Sequence, residues 1–252
     1  MLKKMLKYVS INYIRRLIMR ILQKGFNYSQ DGPGNRLVYH LQGCNFRCKW
    51  CSNPESMPLD SDKAEDVPND AVVDEIERSR MMFFDGGGVT FTGGEPTLQP
   101  DDLIYVLKKA RELGVNTAIE NNGSSPRLCE ISDYVDYMIV DIKHPDDAIH
   151  KKYVGHSNKM TVENLIKLSN KRSQLHIRIP MINHVNTDPE PFAELFKKMD
   201  MANAVVEILA YHEYGKCKWT EEYQITDGFV TDEQIKIFKN RLEKDGIHFI
   251  ET

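Results

Sequence analysis

Cysteine is scarce in this chain of 252 residues, which holds five. The odd count, with Cys129 and Cys217 standing alone, excludes a disulfide framework. Long apolar runs are missing from the N-terminus, where lysines and arginines interrupt every hydrophobic stretch, so no membrane span can form there. No secretory signal, internal repeat or low-complexity tract is visible. Basic charge is not in excess. Against 33 Lys and Arg stand 37 Asp and Glu, a formal net charge of −4, which argues against the strongly basic face of a nucleic-acid binder.

Acid is absent only from the start, where none precedes Asp31. Residues 1–24 carry seven bases (Lys3, Lys4, Lys7, Arg15, Arg16, Arg20 and Lys24), and Leu2, Leu6, Val9, Tyr13 and Leu17 recur at helical spacing. This pattern suits a basic amphipathic helix on a membrane surface or a partner. It also suits a dispensable extension before a domain that opens at Met19, which is the expectation adopted. Residues 1–18 are then a basic extension, helical or disordered, and residues 19–252 a single domain.

From about Arg36 strand-like and helix-like segments alternate, as βα units of a parallel sheet do. The strand candidates are RLVYHLQ, GVTFT, NTAIE, DYMIVDIK, LHIRIP and AVVEILAY. Several are continuously apolar, as strands covered on both faces are. Helical patterns fall around 70–83, 101–113, 161–171, 189–199 and 232–245. Pro100 with Asp101 and Asp102 marks a helix start, and Gly114 a stop. Residues 57–69 have the composition of a solvated loop. Six strands fall short of a closed eight-stranded barrel, so the fold class expected is α/β, a partial (β/α)6 TIM-like barrel, with its chemistry at the C-terminal strand ends.

The cysteines that are present crowd together. Cys44, Cys48 and Cys51 follow the first strand with the spacing C-x3-C-x2-C and no fourth thiol nearby. Such thiolates can hold three irons of a cubane cluster and leave the fourth open to a substrate or cofactor. Two closed sites compete with that reading: zinc completed by His40, or a cluster completed by Cys217. The spacing, with Trp50 before the last cysteine, resembles the signature of the radical S-adenosylmethionine (SAM) superfamily. GGGVTFTGGEP follows one strand later, and its Gly93, Gly94 and Glu95 match the motif that in that family contacts the amino group of the cofactor's methionine.

DGPGNR (Asp31 to Arg36), VDIK (Val140 to Lys143), Arg178 of HIRIP and YHEYGKCKW (Tyr211 to Trp219) extend the likeness over most of the chain. Together they resemble the activating enzymes of glycyl radical enzymes. The 34 residues between Cys51 and Gly86 contain no cysteine, so the chain resembles the minimal form without a ferredoxin-like insert.

The resemblance implies a [4Fe–4S] cluster on Cys44, Cys48 and Cys51, with SAM on its open iron. It also implies reductive cleavage of SAM and removal of a hydrogen atom from a backbone glycine of a partner protein. Trp50, Gly93, Gly94, Glu95, Glu120, Asn121, Asp141, Arg178 and His212 are the implied cofactor residues. Glu120, Asn121 and Asp141 occupy the positions of a monovalent cation site. Asp141 and Lys143 are the implied catalytic side chains beside the cysteines, and Asp31, Lys143 and His212, with Asp141, line the entry of the substrate loop. His150 and His156 have no context that lifts them above surface residues. The implied partners are a glycyl radical enzyme and a flavodoxin or ferredoxin as electron donor; a cytoplasmic monomer is expected. A radical SAM enzyme acting on a small molecule or on anaerobic ribonucleotide reductase is the alternative within the superfamily.

Overall fold

Alternation along the strands decides what the sheet buries. In a computed structural model, which describes residues 18–171 and 174–250, the six expected strands are β2 (Asn35–Leu41), β4 (Gly88–Gly93), β5 (Asn116–Asn121), β6 (Tyr137–Asp141), β7 (Gln174–Met181) and β8 (Ala204–Ala210). They pair in parallel in that order. One side of each strand is apolar: Leu37, Tyr39, Leu41, Val89, Phe91, Ile119, Val140, Ile177 and Val206 join a single buried core. The helices α1 (Asn69–Arg78), α2 (Pro100–Glu112), α3 (Leu128–Ile131), α4 (Asp147–Val154), α5 (Lys159–Ser169), α6 (Glu190–Phe196) and α7 (Asp232–Glu243) alternate with them along the chain.

The other side of the strands is polar. Arg36 donates to Thr90 at 2.7 Å, Thr92 to Glu120 at 3.2 Å, and Arg178 of β7 reaches past β6 to Glu120 of β5 at 2.9 Å. A bond that skips a strand requires a concave surface, so these residues face the interior of a partial barrel. Buried polar groups survive there because they are bonded to one another.

Two strands were not expected. β1 (Ile18–Tyr28) runs antiparallel to β2, and β3 (Glu65–Pro68) runs antiparallel to the start of β1. β1 occupies part of the stretch whose pattern also suited a basic helix, and its strand alternation buries Met19 and Ile21 on either side of the half-buried Arg20. It covers an edge of β2 that would otherwise expose unpaired N–H and C=O groups. β3 lies in the stretch expected to be loop. Residues 1–17, which hold the rest of the basic extension, lie outside the described residues. The expected start at Pro100 and stop at Gly114 hold, with Gly114 at φ +71°. The helix expected over 70–83 ends at Arg78, and α4 occupies residues that no helical pattern singled out.

Candidate active site

The loop after β2 is clamped on three sides. Gly43 and Cys44 donate to the carbonyls of Ser56 and Met57 at 2.9 and 3.2 Å, while Arg47 and Lys49 donate to Val154 and Tyr153 at 2.9 and 3.1 Å. On the third side the end of β4 lies against the loop: the Gly94 N–H reaches the Leu41 carbonyl and that of Glu95 the Gly43 carbonyl, at 2.9 and 2.7 Å. A Cβ on Gly94 would stand 2.2 Å from the Gly43 oxygen, and one on Gly93, whose φ is +114°, 2.3 Å from the Leu41 nitrogen. The Gly-Gly pair is therefore needed for backbone to touch backbone. Gly94→Ala should push the cysteine loop away and destabilise the fold by about 1–3 kcal/mol. Thermal melting and iron content after reconstitution measure both effects, and an unchanged pair of values would refute the tight-contact argument.

Cys48 is buried, and Cys44 and Cys51 pack beside it against an apolar cluster of Phe46, Trp50, Val154, Ile182, Tyr211 and Ile225. Burial pushes the Cys44 thiol up to about 12, with the Glu95 carboxylate adding to the effect, and burial likewise raises Cys48 and Cys51. The Cys44 thiol feels the charge of Cys51, and the Cys48 thiol that of both. The backbone N–H groups of Phe46 and Asn53 already point at the Cys44 and Cys51 sulfurs at 3.4 Å, as they do toward thiolate ligands. Among the described residues no three His, Cys, Asp or Glu side chains converge on one point as a single metal ion requires. The completing ligands weighed from sequence do not join them. His40 lies on the interior face of β2 under the influence of Glu120, Lys218 and Glu55, and Cys217 is exposed.

Beside the thiols lies an ion pair. Lys143 Nζ donates to Asp141 Oδ2 at 2.6 Å, with the two side chains only 13% and 16% exposed. Burial pulls the Lys143 pKa down, but Asp141 and the Cys48 and Cys51 thiols outweigh it and hold the ammonium charged beyond the usual lysine range. Asp141 Oδ1 is buried without a partner. An orphaned carboxylate oxygen has room for one more donor or cation.

Glu95 is 1% exposed, and both of its oxygens are engaged. Oε1 accepts from the Thr97 N–H at 3.0 Å and from the Thr97 hydroxyl, and Oε2 accepts from the Asn122 N–H at 2.7 Å. The side chain therefore ties the Gly-Gly turn to the end of β5; it is a positioning residue. Burial raises its pKa to about 7. Between the unfolded value near 4.5 and 7 the native carboxyl holds a proton that the unfolded chain releases. The stability it contributes is thus complete below 4.5 and is lost as pH rises through 7. Melting curves of the cofactor-free protein and of Glu95→Gln between pH 5 and 8 should differ by a gap that changes in this sense. A gap independent of pH would contradict it.

Arg178 lies deeper in the interior. Its Nη1 pairs with Glu120 at 2.9 Å, its Nε with Glu207 at 2.7 Å, and its Nη2 bonds the Gln30 carbonyl. His176 Nε2 stands 2.9 Å from Glu207, and Tyr137 stands 3.1 Å from His176 Nδ1. Asn121, expected beside Glu120, is turned away. Its Nδ2 donates to the Ile139 carbonyl at 2.8 Å and its Oδ1 accepts from Gly123 at 2.9 Å. Adjacent strand residues point to opposite faces, so a Glu-Asn pair cannot present both side chains to one ion.

YHEYGKCKW proves to be a strap on the cysteine loop. The Trp219 indole N–H donates to the Cys51 carbonyl at 3.0 Å, and Lys218 bonds Asn53 at 2.9 Å and Glu55 at 3.0 Å. A Cβ on Gly215 would strike the backbone of Ser52. His212 stands at the start of the strap, half-buried and stacked on Tyr214 at 4.2 Å, with burial lowering its pKa. Trp50 is 8% exposed and packs 6.4 Å from Tyr153. Asp31 sits elsewhere. Its carbonyl accepts from Thr90 at 2.8 Å and its carboxylate from Asn27, within the β1–β2 turn at the opposite end of β2 from the cysteine loop. The structure does not bring it to Lys143 or His212.

His150 corrects the surface assignment. It is 1% exposed, edge-on to Phe46 at 5.2 Å, with Nδ1 2.6 Å from the His156 carbonyl. Glu207 was also missed. A single carboxylate inside the apolar run VVEIL was the available signal, since an acid there must meet a base.

The model of the Radical SAM superfamily matches residues 38–196. Among curated proteins, the 4-hydroxyphenylacetate decarboxylase activating enzyme of Clostridioides difficile is 30% identical over 81% of this chain and 86% of its own. The pyruvate formate-lyase 1-activating enzyme of Escherichia coli K12 is 32% identical over 77% of this chain and 82% of its own. Among solved structures, a domain of the pyruvate-formate lyase-activating enzyme from Bacteroides vulgatus ATCC 8482 superposes with a TM-score of 0.55 at 23% identity, covering 65% of this chain and 98% of that one. A radical SAM methyltransferase from Sphaerobacter thermophilus does so with 0.63 at 14% identity, covering 97% and 80%. At those identities the superpositions speak for the fold alone.

Proposed function

Because the chain belongs to the radical SAM superfamily, and within it to the glycyl radical enzyme activating enzymes, we propose that it converts a backbone glycine of a partner enzyme into a glycyl radical. The observation that carries this function is the group of three thiols on one loop, closed in by the Gly-Gly turn and the Lys143–Asp141 pair, with the other thiol weighed as a ligand, Cys217, exposed. A [4Fe–4S] cluster held by Cys44, Cys48 and Cys51 would supply the electron for reductive cleavage of SAM and so the radical chemistry that removes the glycine hydrogen.

The chain's own part is placement. Cys44, Cys48 and Cys51 would hold the cluster, and the Gly93–Gly94 turn packed on the cysteine loop would receive the cofactor's ammonium group. Asp141 Oδ1 is a buried carboxylate oxygen without a hydrogen-bond partner, suited to a cation or donor brought in with the cofactor, and Glu120 is held by Arg178. Arg178 has five N–H donors. Three are taken by Glu120, Glu207 and Gln30, which leaves two for a carboxylate or a ribose. Lys143 and the half-buried His212 line the approach of the partner's loop, while Trp50, Trp219 and Tyr211 exclude water from the thiols. The electron donor is a flavodoxin or ferredoxin, and the protein acts as a monomer in an anaerobic cytoplasm. No helix among the described residues is long and apolar enough to cross a membrane.

Anaerobic reconstitution with iron and sulfide, reduction, and paramagnetic resonance with and without SAM test the proposal. A cluster signal that shifts on adding SAM, with 5′-deoxyadenosine formed, is expected. A cluster indifferent to SAM, or zinc retained in its place, would refute it.

A further inference from the structure

Charge is unevenly shared around the cysteine loop. On one flank the cations of the strap are neutralised: Lys218 by Glu55 at 3.0 Å and Lys216 by Glu213 at 2.9 Å. The β1–β3 flank is acidic in balance, its surface hollows lined by Asp60, Asp62, Asp66, Asp101 and Asp102 around the one base Arg20, which pairs with Asp60 and Asp66. The third flank is different. The ammonium groups of Lys49 and Lys152 both stand over the Tyr153 ring, 5.4 and 4.8 Å from its centre. Arg47 is exposed beside them and donates only to the carbonyls of Cys44 and Phe46. Among the described residues no carboxylate pairs with any of these three, whereas their neighbour Lys151 is held by Asp147 at 2.7 Å. Two like charges on one ring repel each other, so the free protein carries an electrostatic cost there that an acidic surface would relieve.

This face is also joined to the site. The Lys49 and Arg47 amides are bonded to Tyr153 and Val154, so loop and helix end form one surface. Behind Tyr153 lies Trp50, and Trp50 packs in the same apolar cluster as Cys48. One layer of aromatic side chains separates the basic face from the thiols.

We propose that Arg47, Lys49, Lys152 and Tyr153 form the docking surface for the electron donor, a small acidic one-electron carrier. The inference rests on the proposed function and adds to it the place where reduction occurs. In the step, the carrier's reduced centre loses one electron, and the centre held by the three cysteines gains it; no bond forms or breaks. Complementary charge would steer the encounter and make it sensitive to salt.

The test uses the reconstituted full-length protein, with purified oxidised flavodoxin and oxidised ferredoxin as probes, titrated at low and at moderate salt. The double variant Lys49→Glu/Lys152→Glu should bind the preferred carrier at least about tenfold more weakly than the unchanged protein, with a flatter salt dependence. 5′-Deoxyadenosine formation driven by a limiting amount of that carrier should fall in step, while formation driven by dithionite stays as it was. Lys49→Gln/Lys152→Gln should fall between. Affinities for both carriers within twofold of the unchanged protein would overturn the docking surface. The proposed function fails separately, if the unchanged protein forms no 5′-deoxyadenosine with dithionite.

Discussion

Cys48→Ala should leave the fold standing and remove the chemistry. The thiol lies in an apolar cluster with its pKa pushed up by burial, so in the cluster-free protein it packs as a small neutral hydrophobe. Losing one sulfur atom from such a site costs about 1 kcal/mol, an amount a domain of this size tolerates. The same burial means that nothing nearby except Lys143 favours the thiolate; the charge of bound iron must draw the proton off. With only two thiolates left, the cluster loses a third of its protein anchorage, and neither His40 nor Cys217 is placed to substitute. Reconstituted Cys48→Ala should retain little iron and sulfide and form 5′-deoxyadenosine more than about 1,000-fold more slowly, a loss of over 4 kcal/mol in barrier terms. Circular dichroism and melting should stay close to those of the unchanged chain. A variant that keeps a full cluster would show that a fourth ligand exists, and a variant that unfolds would show that the thiol is structural.

What the sequence disclosed and what it hid divide along physical lines. The six parallel strands were legible because each is apolar on its helix-facing side for several residues, and the site was legible because Cys44, Cys48 and Cys51 with Gly93 and Gly94 are local patterns. β1 was hidden because its bases alternate with few buried residues and its partners, β2 and β3, are set by contacts distant in sequence. Asn121 was placed with Glu120 because the resemblance implied a shared cation site, while the pleat sends the side chains of strand neighbours to opposite faces. The strap's contact between Trp219 and Cys51, 168 positions apart, leaves no local trace at all. Neither does the buried setting of His150, which depends on Phe46 arriving from the cysteine loop.

Arg178→Ala should be the most damaging single change to stability outside the cysteine loop. Asp141, Arg178 and Glu207 lie in register across β6, β7 and β8, and Arg178 pairs with both Glu120 and Glu207 in the interior. Burial alone would lower its pKa, yet Glu120, Glu207 and Asp141 hold it above the ordinary arginine range. Removing it takes from Glu207, 2% exposed at its side chain, the guanidinium that stands 2.7 Å away. Breaking a buried ion pair from one side costs about 3–5 kcal/mol, because the partner's charge is left uncompensated. For a chain of this length, that corresponds to a fall of roughly 10 °C in melting temperature. Arg178→Lys keeps the charge but cannot reach Glu120, Glu207 and the Gln30 carbonyl at once, so it should recover only part of the loss. Arg178→Met combined with Glu207→Gln should melt above Arg178→Met alone, since the second change removes the charge stranded by the first. If instead the single variant melted within about 2 °C of the unchanged protein, the network would not be holding β5, β7 and β8 together, and the place of Arg178 would lie wholly with the cofactor. The KM for SAM in Arg178→Lys separates the two roles, because a lost cofactor contact raises it at temperatures where the variant is fully folded.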